Sequence, residues 1–297
     1  MSAASTAGAG DARGEPLRLM AVLAHPDDES LGVGTTLARY AAEGVETHVV
    51  TATLGQAGRY SGIRPDETGH PGAEGLGAIR EGELREAVAA LGVHGLTLLR
   101  FMDGRLDQAD PLELSARVAR CIREVRPHVV ITFAPDGGYG HPDHIAISQA
   151  TTAAIVGAAG AGDTPGDGPP PHAVSKLYWM AWTESIWHAY RSVFQTLGAT
   201  VDGVARSVLP WPDWEITTEL DTRAHWETAW SAVRCHASQI ATYEKLRDLP
   251  AEDHEALWGR QTFYRVFSRV NGGRRRETDL FEGLRPVPAP RGERRAP

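Results

Sequence analysis

Two short segments concentrate the residues able to do chemistry: His25-Pro26-Asp27-Asp28-Glu29-Ser30 and Pro135-Asp136-Gly137-Gly138-Tyr139-Gly140-His141-Pro142-Asp143-His144. The first spaces an imidazole and a carboxylate, His25-x-x-Asp28, to bite one ion. The second sets His141 and His144 one turn apart near a helix start. Imidazole with carboxylate suits Zn²⁺, and three protein ligands beside an open position define a catalytic site, not a structural one. Each segment alone has a plainer explanation. Asp27-Asp28-Glu29 ahead of a helix can be a cap with a dipole-complementing first turn, and a lone histidine pair is more often structural or at the surface.

The elements around them favour the chemical reading. LRLMAVLA (17–24), VETHVVTAT (45–53), LTLLRF (96–101) and HVVITFA (128–134) are apolar or β-branched runs of buried-strand length. Helical patterns separate them at Ser30–Glu43, Ala78–Leu91, Pro111–Val125 and Asp143–Ala159. Strand alternating with helix predicts an α/β fold: a Rossmann-like open, mostly parallel sheet with helices on both faces. Ligands of such sheets sit beyond the carboxyl ends of the strands. The His25 segment follows the first strand and the His141 segment the fourth, so both fall at that edge. Gly32-Val33-Gly34 lies a turn into the helix with no third glycine in register, so a dinucleotide fingerprint is absent.

The rest of the chain bounds the answer. Its 297 residues, 42% hydrophobic and 23% charged, suffice for a continuous core. A net charge of −8 supplies no basic face for nucleic acid. Two cysteines, Cys121 and Cys235, cannot staple a fold and read as free buried thiols. No run reads as a signal peptide or a membrane span, and the expected location is cytoplasmic. Residues 1–15 and 283–297 read as disordered tails around a single domain, 16–282, divided into a Rossmann-like part at 16–160 and a C-terminal α+β lobe at 173–282. Residues 54–77 break the rhythm as a long functional loop, and 163–171 read as a linker. In the lobe, 176–182 and 215–220 read as strands and Arg223–Leu246 as one long helix. The tryptophans there read as packing rather than sugar platforms.

Ala24-His25-Pro26-Asp27-Asp28-Glu29 together with Gly140-His141-Pro142-Asp143-His144 resembles the LmbE-like (PIG-L) family of N-acetylglucosaminyl deacetylases. Within that family, GGYGHPDH and RPHVV look most like the mycothiol-pathway deacetylases. The resemblance implies one zinc ion held by His25, Asp28 and His144, with Asp27 as general base and His141 and Tyr139 stabilising the oxyanion. It also implies hydrolysis of the acetamide of a GlcNAc-type small molecule, releasing acetate and a free amine. Arg80 matches a position associated with the polar end of the substrate, and Asp107 is a second candidate of that kind. Asp143 is placed to orient the neighbouring His141. One departure stands out: Gly55-Gln56 follows the second strand where the family commonly has Gly-Glu.

The residue types suit amide hydrolysis. Zinc polarises a carbonyl and acidifies water, a spare carboxylate takes the proton, and a protonated imidazole with a phenol holds the oxyanion. Two rivals remain: an amidase cleaving a larger amide such as a mycothiol S-conjugate, and a sugar- or metal-binding module without chemistry. Asp27 argues against the module, which needs no spare carboxylate beside its ligand. The expected partner is a small N-acetylated amino sugar, with no nucleic acid or membrane, and homo-oligomer formation is left open.

Overall fold

The computed structural model describes residues 10, 14–160, 168–193, 198–201, 204–207, 209–273 and 275–286. Most of both expected tails, and 163–167 of the expected linker, lie outside them. The strands are β1 (Arg18–Leu23), β2 (Glu46–Thr53), β3 (Gly95–Phe101), β4 (Val129–Thr132), β5 (Lys176–Met180), β6 (Gly198–Val201), β7 (Val204–Ser207), β8 (Thr218–Asp221) and β9 (Arg260–Ser268). The α-helices are α1 (Asp28–Leu31), α2 (Gly34–Ala42), α3 (Gly72–Ala90), α4 (Pro111–Val125), α5 (Gly137–Gly140, a single kinked turn), α6 (Pro142–Ala159), α7 (Glu184–Val193), α8 (Trp226–Cys235), α9 (Ile240–Tyr243) and α10 (Ala251–His254).

Seven strands form one sheet in the order β3-β2-β1-β4-β5-β9-β8. The first five pair in parallel, and β9 and β8 add antiparallel. This is the expected open α/β architecture. The C-terminal part is built onto the same sheet through β9 and β8, while β6 and β7 form a separate hairpin. β1 and β4 lie at its centre, and nearly all of their residues are buried because helices cover both faces. The chain leaves β1 toward β2 on one side and arrives at β4 on the other, so a crevice opens between their carboxyl ends.

Both HPD segments are strand-to-helix turns at that crevice. His141 is the N-cap of α6 and its ring accepts from the Asp143 N–H, with Pro142 in the first turn, where its missing N–H costs nothing. Asp27 occupies the equivalent cap of α1. Around Glu277 the C-terminal segment is pinned to β5, β8 and β9: its buried carboxylate takes Lys176 Nζ at 2.6 Å, Tyr178 OH at 2.7 Å, Thr218 Oγ1 at 2.8 Å and Arg265 at 2.8 Å.

Several stretches differ from the sequence reading. Helix α3 starts at Gly72, so the loop after β2 is shorter than 54–77, and it carries its own ties, such as the Tyr60–Ile63 bridge. The first helix breaks at Gly32-Val33. The expected Arg223–Leu246 helix stops at Cys235 and resumes at Ile240, because His236 and Ser238 turn inward to meet Glu29 and Glu83. At the C-terminus, Leu284 packs on the core and Arg285 pairs with Asp279, so 283–285 belong to the folded body. Among the described residues no helix is long and apolar enough to cross a membrane.

Candidate active site

His25, Asp28 and His144 converge at the mouth of the crevice. His25 Nδ1 lies 3.1 Å from His144 Nε2 and 3.7 Å from Asp28 Oδ2, and Asp28 Oδ1 lies 3.5 Å from His144 Nε2. Ligands on 2.0–2.1 Å bonds at a tetrahedral angle sit about 3.4 Å apart. The outer nitrogens settle what the inner ones are for. His144 Nδ1 donates to the Gly137 carbonyl at 3.1 Å, which puts the ring proton on that nitrogen. His25 Nε2 faces two carboxylates, Asp103 at 3.1 Å and Asp143 at 3.2 Å, and so carries the proton of its own ring. Two nitrogen lone pairs and a carboxylate therefore face one spot, a donor set that fits a metal ion. A proton competes for it: burial alone would lower His25, but its bonds to Asp103 and Asp143 and the charge of Asp28 hold it up at about 10. Burial raises Asp28 to about 7.

The surroundings fix these rings. Phe133 stacks on His144 with centroids 3.9 Å apart. Asp28 Oδ2 also takes the His25 N–H at 2.8 Å. Gly137 has φ +65, and a Cβ there would come within 2.9 Å of Ile145 and 3.1 Å of His144, so glycine is needed where the loop passes behind His144.

Asp143 does something other than expected. Its side chain lies against His25, the Gly104 N–H (2.7 Å) and the Leu106 N–H (3.0 Å), while only its backbone N–H meets His141. It orients a metal-ligand candidate instead of the oxyanion histidine. His141 packs edge-on against His25 at 4.7 Å and stacks near His144 at 4.8 Å, with Tyr139 5.8 Å away. Burial and the His25 charge lower His141 to about 4. Because its Nδ1 accepts from Asp143, Nε2 carries the hydrogen. Burial raises the Tyr139 phenol above its ordinary range, which keeps it a donor.

Asp27 sits beside the triad, and its Oδ2 accepts from Arg80 at 3.0 Å and Tyr243 at 2.7 Å. Arg80 was read as a substrate contact. It is 5% exposed, and it also donates to the Pro26 and Gly55 carbonyls, so it braces Asp27 from within. Gly55, at φ +63, is obligatory, since a Cβ would lie 2.1 Å from that guanidinium. Asp107 is exposed, on a cleft lined by Pro111, Pro142 and Gln149. Asp103 stands at the site in its place, accepting the Ala57 N–H at 2.9 Å besides facing His25. Gln56 bridges Leu54 N–H and the Phe101 carbonyl. A glutamate could not make the second bond while ionised, so here the residue ties the loop to β3.

Asp103, Tyr243, Glu29 and His236 were missed from sequence. Asp103 had a signal, being the first carboxylate after the third strand. Tyr243 and His236 had none, since they sit in a stretch that reads as helix.

Residues 20–155 match the PIG-L family, GlcNAc-PI de-N-acetylase. A protein of Kineococcus radiotolerans, named 1D-myo-inositol 2-acetamido-2-deoxy-alpha-D-glucopyranoside deacetylase, is 37% identical over 92% of this chain and 84% of its own length. One of the same name from Rhodococcus jostii is 38% identical over 90% and 98%. The chain belongs to the PIG-L family. Membership makes it an amide hydrolase, and the likeness to mycothiol-pathway deacetylases holds. Among solved structures, a conserved protein of Thermus thermophilus superposes with a TM-score of 0.60 at 25% identity, covering 86% of this chain and 97% of that one. GalB, the 4-carboxy-2-hydroxymuconate hydratase of Pseudomonas putida, reaches 0.66 at 19% identity over 86% and 99%. That second pairing, at 19% identity, speaks to the fold alone.

Proposed function

We propose that this chain is a zinc-dependent deacetylase of an inositol-linked N-acetylglucosaminide, releasing acetate and a free amine. The carrying observation is the inner face of the His25–Asp28–His144 triangle, whose donor set fits a metal ion, with the carboxylate of Asp27 beside it. Relatives covering nearly the whole chain and carrying that substrate in their names support the sugar and its aglycone. A cytoplasmic setting agrees with two free cysteines, and the continuous sheet supports reading the chain as one domain, with its C-terminal boundary moved from 282 to about 285.

In this reading His25 Nδ1, Asp28 and His144 Nε2 hold the metal. When bound, zinc supplies Lewis-acid polarisation of the acetyl carbonyl and acidifies water to a pKa of about 7. Arg80 and Tyr243 occupy Oδ2 of Asp27, which leaves Oδ1 to take the proton of the attacking water. As the new C–O bond forms, Nε2–H of His141 and the hydroxyl of Tyr139 donate to the acetyl oxygen, where charge develops. Asp27 then returns its proton to the nitrogen as the C–N bond breaks.

The test separates the adjacent carboxylates. Asp28→Ala should lose both zinc and activity. Asp27→Asn should keep zinc near one per chain while acetate release falls about 10²–10⁴-fold, mostly in kcat. Reversed metal contents would overturn the assignment of the pair. Turnover of a mycothiol S-conjugate, with none of the N-acetylglucosaminyl inositol, would replace the substrate by the amidase alternative.

A further inference from the structure

Adjacent residues of a strand or helix point their side chains apart, yet Asp27 and Asp28 both serve one site. The backbone explains it. Asp27 has φ 106 and ψ −25, whereas the other described non-glycine residues with positive φ lie at 48 to 58, inside the ordinary left-handed well. At this angle the two carboxylates turn into the same crevice, one toward Arg80 and Tyr243, the other toward His144. A non-glycine residue stays in such geometry only when its surroundings over-determine it.

What over-determines it is a buried ion pair. The Asp27 N–H donates to Glu29 Oε2 at 2.9 Å. Glu29 Oε1 takes His236 Nε2 at 2.7 Å and Ser30 Oγ at 2.5 Å. Glu29 and His236 are both 0% exposed. His236 reaches this spot because α8 ends at Cys235, and the turn after it is anchored where Ser238 N and Oγ both donate to the Glu83 carboxylate of α3, at 2.6 and 2.7 Å. The clamp thus spans 207 positions of sequence.

We propose that the Glu29–His236 pair is a positioning device that holds the Asp27 peptide in its left-handed geometry, and so keeps the Asp27 carboxylate on the reacting water. It rests on the reading of Asp27 as the base and goes beyond it by naming what aims that base. Neither residue touches substrate.

The experiment compares His236→Leu, which fills the space without a donor, with His236→Gln, whose amide can still donate to Glu29. His236→Leu should retain zinc near one per chain and an unchanged KM, while kcat drops on the order of 10²-fold, the usual consequence of misaiming by about 1 Å. His236→Gln should recover most of that loss. An equal kcat in all three proteins, whatever their melting points, would overturn the proposal, since a structural plug alone would explain the pair. Should His236→Leu fail to fold, Glu29→Gln stands in: it sheds the buried charge, keeps an acceptor for the Asp27 N–H, and must still lower kcat. A second readout is independent of turnover. Glycine tolerates φ 106 and alanine does not, so Asp27→Gly should melt a few degrees above Asp27→Ala, and the gap should close in the His236→Leu background. No gap in the wild-type background would mean no strain and no clamp. A gap that is present in the wild-type background and closes with His236→Leu, together with a fully active Asp27→Asn, would instead sink the base assignment and leave the clamp standing.

Discussion

Replacing Asp143 by alanine probes how much of the proposed metal site depends on a residue outside it. The side chain is fully buried and accepts three hydrogen bonds, from His25 Nε2 at 3.2 Å, Gly104 N at 2.7 Å and Leu106 N at 3.0 Å. Water can replace the partner of the exposed Gly104, but Leu106 is buried and its N–H would be orphaned. A buried unpaired donor costs about 1–3 kcal/mol, which in a chain of this size lowers the melting point by about 2–5 °C. The second effect is on the ion. With Asp143 gone, His25 keeps Asp103 but loses its better-buried orienter, and loss of such a partner weakens metal binding by about 10–100-fold. Asp143→Asn should split the two effects. Its remaining oxygen can serve Leu106, while its NH₂ opposes the N–H of Gly104 and His25, so metal affinity should fall further than stability. Thermal melting and a competitive chelator titration on all three proteins measure both numbers. Zinc binding within threefold of wild type in Asp143→Ala would refute the reasoning and pass the orientation of His25 to Asp103.

Two other outcomes follow from groups far from the site. The Glu277 carboxyl is held at about 2: burial opposes this, but Lys176, Tyr178 and Asn271 outweigh it. Since its folded pKa is depressed, its contribution, on the order of 3 kcal/mol, is present above the ordinary carboxylate pKa near 4.5 and is lost as pH falls from there toward 2; Glu277→Gln should flatten that acid limb in urea midpoints measured against pH, and an unchanged slope would count against it. Burial raises the Cys121 thiol to about 11 and raises that of the half-buried Cys235; at pH 7 an aromatic disulfide reagent should leave Cys121 unmodified in the native protein and label it rapidly in denaturant.

The sheet was legible because buried parallel strands announce themselves as apolar runs, and β1 and β4 are such runs. The convergence of His25, Asp28 and His144 was legible because they lie in compact motifs where local spacing fixes geometry. What stayed hidden depended on contacts across the fold. Arg80 looks like any charged residue on a helix face, and only the tertiary structure shows that face turned inward against Gly55 and Asp27. The run 223–246 has a helical pattern throughout, but periodicity carries no trace of two inward polar residues, His236 and Ser238, that break it. Asp103 and Asp107 are equivalent in composition and differ only in which one the chain turns toward His25. Strand β9 was overlooked, although its alternation buries Gln261 and Phe263 in register.

Tyr243 and His236 lie outside the stretch that matches the family, residues 20–155, yet they complete the surroundings of Asp27. The matched stretch is therefore not a portable catalytic cassette. Grafting it onto a foreign C-terminal half would import both motifs intact and leave Asp27 without its phenol and Glu29 without its imidazole. Exchanging C-terminal halves among relatives should preserve metal loading and degrade turnover, unless the incoming half brings its own equivalents to the same two places.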